Sequence, residues 1–81
     1  MKKMTWTLPI TVEDRQTGTR RTVKTVRQAQ AVLHRNWPDT SGSRYRLAER
    51  VCEDALHGEV ETDKARTAFV AAAIEAHFYL S

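Results

Sequence analysis

The sequence holds one cysteine, two prolines and three glycines among 81 residues, and each scarcity excludes something. Cys52 alone cannot close a disulfide within the chain. His34, His57 and His77 show no one-turn spacing, so a zinc site would have to gather its ligands from separate elements, and no metal or cofactor is expected. Gly18, Gly42 and Gly58 stand far apart, each at a turn, which leaves no glycine-rich phosphate loop. The longest apolar run, residues 68–74, is closed by Glu75 and falls far short of the ~20 residues of a membrane span. The opening stretch, Lys2-Lys3-Met4-Thr5-Trp6-Thr7-Leu8-Pro9, lacks the unbroken apolar segment of a secretory signal. The expectation is a mature, soluble, cytoplasmic chain.

What is present fits one core over residues 1–81. A chain of this size buries only about 60% of the surface exposed when unfolded, so its stability should be modest and a partner subunit is a natural supplement. The net charge of +3 is unevenly placed, with about +7 over residues 1–50 and −4 over the remainder. A basic half can meet polyanions, or it can meet the acidic half within the fold or on a neighbour.

Met4, Trp6, Leu8, Ile10 and Val12 alternate with Thr5, Thr7, Pro9 and Thr11, the period of a strand with one buried face. Pro9 cannot donate to a ladder and should lie on an edge or point outward. Residues 14–18 suit a hairpin loop with Gly18 in the left-handed region. In the second strand, residues 19–24, Val23 is the one aliphatic residue; pairing it with Ile10, and Val12 with Arg21, keeps it on the buried face. Thr25 and Gln28 form a capping box that opens a helix carrying Val26, Ala29, Val32, Leu33 and Trp37, stopped by Pro38. Ser41 or Ser43 should cap a second helix with Tyr45, Ala48, Val51, Cys52, Ala55 and Leu56 inside, ended by Gly58. Thr62 should cap a third, apolar on most sides: Ala65, Ala68, Phe69, Ala72, Ala76 and Tyr79 on one face, with Val70, Ala71, Ala73, Ile74 and Phe78 around it. The fold class is therefore α+β, an N-terminal antiparallel β-hairpin packed against three α-helices.

Few side chains suggest chemistry. Cys52 shares a face with Ala48, Ala55 and Leu56, an apolar setting that raises a thiol's pKa, so it reads as core and not as a nucleophile. His57 falls at the end of the second helix, where a positive ring suits the dipole. Arg46–Glu49, Arg50–Glu53 and Arg50–Asp54 have the spacing of ion pairs on a solvated helix face. Arg15, Arg20, Arg21, Lys24, Arg27 and Arg35 could form one basic surface on the hairpin and first helix, the residues a nucleic-acid contact would use. Both tryptophans, however, are better spent in the core than in base stacking. Arg66, beside an apolar face, should make a structural ion pair or cap carbonyls.

Trp37-Pro38, Gly42, Tyr45, Ala48, Cys52, Ala55-Leu56, Gly58, Ala65-Arg66, Ala68-Phe69, Ala72-Ala73 and Glu75-Ala76 together resemble the domain-of-unknown-function 982 family of short rhizobial-type bacterial proteins, and Pro9-Ile10-Thr11-Val12 with Gly18 fit its leading strand and turn. The resemblance implies a bacterial origin and this fold, and carries no activity. The functional expectation is a non-enzymatic interaction or regulatory module binding another protein or forming a homodimer, with no membrane contact. The alternative is a nucleic-acid-binding protein using the six basic residues.

Overall fold

In the computed structural model, residues 5–13, 18–35, 37 and 42–77 are described. Two strands, β1 (Thr5–Glu13) and β2 (Arg20–Thr25), precede three helices, α1 (Val26–Arg35), α2 (Ser43–Leu56) and α3 (Thr62–Glu75). The strands pair antiparallel as a two-stranded sheet. Ile10 faces Val23 and Val12 faces Arg21, the register that the lone aliphatic residue of β2 requires, and Ile10, Val12 and Val23 are all buried. Gly18 takes a φ of +72°, as the loop demands; Asp14 and Arg15 lie outside the described residues.

The alternation fails at one place. Leu8, expected inside, is 61% exposed, whereas Trp6 and Ile10 are buried. The cause is an irregularity: from Thr5↔Thr25 to Ile10↔Val23, β1 uses five residue steps where β2 uses two, so the side chains between them cannot keep a two-residue period. Pro9 sits in this stretch and is exposed, at an irregularity of the pairing where a residue without an N–H is tolerated.

Thr25 caps α1 as expected. Its hydroxyl accepts from the Gln28 N–H at 3.0 Å, while the Gln28 amide oxygen reaches the Lys24 N–H at 2.7 Å, one residue before the usual capping-box target. The helix ends at Arg35, short of Trp37, which is nevertheless buried. Ser43 and Thr62 do not cap their helices: each is the first helical residue, behind the extended N-caps Gly42 and Glu61. Ser41, Pro38, Phe78 and Tyr79 lie outside the described residues.

α2 closes as its sequence predicts. Glu59 N–H bonds the Asp54 carbonyl and Gly58 N–H the Ala55 carbonyl, the paired bonds of a Schellman turn, with Gly58 at φ +75°. A Cβ there would meet nothing within 4 Å, so the cost of Gly58→Ala is purely conformational. It should destabilise by about 1–2 kcal/mol, read as an earlier urea midpoint with an unchanged slope.

α3 is the centre of the core. Phe69 is fully buried, with its ring 5.6 Å from Trp6 and 5.5 Å from Trp37, so one side chain joins the hairpin, the segment after α1 and the last helix. Trp37 also packs on Tyr45 of α2 at 6.0 Å. Ala65, Ala68, Ala72 and Ala73 bury the remainder of the helix, which lies against α2, β1 and α1. No helix among the described residues is long and apolar enough to cross a membrane.

Candidate functional site

Cys52 is wholly buried, and desolvation pushes its thiol from 9.0 up to about 12, the neutral core residue expected from its helical face. Among the described residues no three His, Cys, Asp or Glu side chains converge as a metal set.

The α2 ion-pair lattice does not form. Among the described residues Arg20 and Glu13 pair at 3.4 Å and His34 Nε2 lies 3.2 Å from Glu49 Oε2, and Arg46 and Arg50 enter neither contact. Glu49 turns toward α1 instead. Its carboxylate lies 3.3 Å from the Tyr45 hydroxyl, which also lies 3.1 Å from the Leu33 carbonyl. A phenol has one proton to donate, so the two acceptors compete for it. Burial, and then the Glu49 charge, raise the Tyr45 pKa. The cluster ties α1 to α2, which the sequence spacing of Arg46 and Glu49 could not reveal because His34 and Leu33 are remote in the chain.

Arg20, Arg21, Lys24, Arg27 and Arg35 are exposed, Arg15 lies outside the described residues, and strand alternation puts Arg20 and Lys24 on the face opposite Arg21. Arg20 is held by Glu13. Arg21, opposite Val12 and on the same strand face as Val23, borders a depression with Gln28, Ala31 and Val32 of α1. Lys24 lies on the other side of the strand by the same alternation. Arg27 and Arg35 are exposed on α1. Arg66 Nε donates to the Leu8 carbonyl at 2.7 Å, so the guanidinium braces the irregular part of β1 against α3.

Gly42 has a role that is invisible in the sequence. A Cβ built on it would overlap Glu75 Oε1, so the carboxylate at the end of α3 fills the space beside the N-terminus of α2. α2 has no acid in its first turn and no side-chain cap, and Glu75 supplies the negative charge that its dipole favours.

Alongside this contact lies an open apolar surface. A shallow groove of about 470 Å³ runs between α2 and α3, floored by Leu47, Val51, Val60, Ala68 and Ala71. Arg44 and Lys64 border it, and Ile74 and Glu75 continue it past Ala71. Leu47 is 47% and Ile74 56% exposed, and both border this one surface, so they form a patch and are not scattered singly. The groove was foreshadowed by the apolar residues around α3, although nothing in their spacing said which would stay uncovered.

A hairpin docked on three helices with α3 at the centre defines a small ββααα fold of the α+β class. The NMR structure of Agrobacterium tumefaciens protein Atu1219, a structural genomics target, is similar to it with a TM-score of 0.77 and 35% identity, covering 96% of this chain and 77% of that one. The chain belongs to the family described as protein of unknown function, DUF982, which matches residues 8–80. No curated protein matches it.

Proposed function

We propose that this protein is a non-enzymatic interaction module whose docking surface is the α2–α3 groove. The observation that carries this reading is the exposure of Leu47 and Ile74 along an apolar trough walled by α2, α3 and the turn that joins them. Both side chains are about half exposed, so covering what remains in water gains roughly half the ~1.5–3 kcal/mol of a full burial, about 1 kcal/mol each. The side chains with reactive potential are engaged elsewhere, Cys52 in the core and Glu49 between His34 and Tyr45.

Affinity capture from a bacterial lysate, run in parallel on three chains, tests the reading. A protein bound by wild type should be lost with Leu47→Glu/Ile74→Glu and retained with Arg21→Glu/Arg27→Glu. Loss with the second pair alone, together with nucleic acid in the eluate and a steep fall with salt, would replace the groove by the basic surface.

A further inference from the structure

We propose that the groove is filled by a second copy of this chain, with the two α3 helices antiparallel about a two-fold axis that passes between Ala68 and Ala71. This deepens the docking reading above and rests on it. Lys64, Ala68, Ala71 and Glu75 follow one another at three- or four-residue steps, which places them on a single stripe of α3. Lys64, Ala68 and Ala71 line the groove, and Glu75 lines its continuation.

The stripe is self-complementary in one orientation. Lys64 and Glu75 are equidistant from the point midway between Ala68 and Ala71, about 8 Å on either side at helical rise. An antiparallel copy therefore sets Lys64 against Glu75 of the second chain, Ala68 against its Ala71, and the reverse pairs by symmetry. A parallel copy would set Lys64 on Lys64 and Glu75 on Glu75, two like-charge contacts, so the charges select the orientation as well as the partner. The two alanines at the centre let the helix axes approach closely, and opposed dipoles favour the same arrangement. Ile74, adjacent to Glu75, then comes down at the Val60 and Lys64 end of the second groove, which covers the most exposed aliphatic residue of the helices. Glu75 is exposed, so the carboxylate that lies beside Gly42 at the start of α2 is also open on its solvent side to Lys64 of the second chain.

Sedimentation velocity from low micromolar to several hundred micromolar reads the association. Wild type should dimerise. Lys64→Glu and Glu75→Lys should each weaken the dimer about tenfold or more, because each reversal creates two repulsive contacts across the axis. The double variant Lys64→Glu/Glu75→Lys should recover most of the loss, an outcome that damage to the α2 N-terminus by Glu75→Lys could not produce. Helical circular dichroism confirms that each variant is folded. A dimer indifferent to both reversals, or a chain monomeric at every concentration, would overturn the proposal. If the chain is monomeric yet Leu47→Glu/Ile74→Glu still abolishes capture from the lysate, the second-copy assignment fails and the docking groove stands.

Discussion

Phe69→Ala is expected to leave the chain barely folded at room temperature. The ring is fully buried and touches both tryptophans, so its removal opens a cavity at the junction of the hairpin, Trp37 and α3. Such truncations cost about 3–5 kcal/mol, and a chain of 81 residues has a total stability of about 4–12 kcal/mol. The midpoint of thermal unfolding should fall by about 15 °C or more, with near-ultraviolet circular dichroism of the tryptophans lost before the helical signal. Phe69→Leu keeps most of the volume and forfeits the ring contacts, and should cost about 1–3 kcal/mol. A loss under about 1 kcal/mol for the alanine variant would mean that the hairpin does not depend on this side chain.

The parts legible in the sequence are those decided by neighbours in the chain. Val23, alone among polar residues, could be buried in only one register, and that register is the one observed. Gly58 ends α2 because a left-handed residue is needed there, and Cys52 is buried because its own helical face is apolar. What escaped depends on residues far apart. Leu8 follows the strand period in sequence but faces water, because β1 carries extra residues that β2 does not match. Glu49 has an arginine at ideal spacing and turns to His34 of α1 and Tyr45 of its own helix. Ser43 and Thr62 are plausible caps by type. At α2, Gly42 caps because Glu75 crowds that position; at α3, Glu61 and Asp63 set negative charge around the first turn. The apolar surroundings of α3 were evident, but which of them stay open as a groove depends on how α2 lies across it.

Alkaline solution should expose the state of Cys52. Below about pH 9 the thiol is protonated in both the folded and the unfolded chain and contributes no pH dependence. Above that value the unfolded chain releases the proton while burial holds it in the folded one, up to about pH 12. The folded state then binds more protons, so stability falls as pH rises, by about 1.4 kcal/mol per unit across that window. Tyr45, raised from 10.0 by burial and then by Glu49, adds a loss of the same sign at the upper end. Urea unfolding of wild type and Cys52→Ala, compared between pH 8 and pH 11, separates the two. The variant has no thiol to titrate, so its deficit at pH 8 should shrink by about 2–3 kcal/mol at pH 11. Arginine, lysine and tyrosine titrations are common to both chains and cancel in that difference. Parallel curves, or rapid reaction of the native thiol with a disulfide reagent at pH 8, would place the sulfur in contact with water and return it to consideration as a nucleophile. Converging curves leave it where the packing of Ala48 and Ala55 puts it, inside the helix pair whose outer face forms the groove.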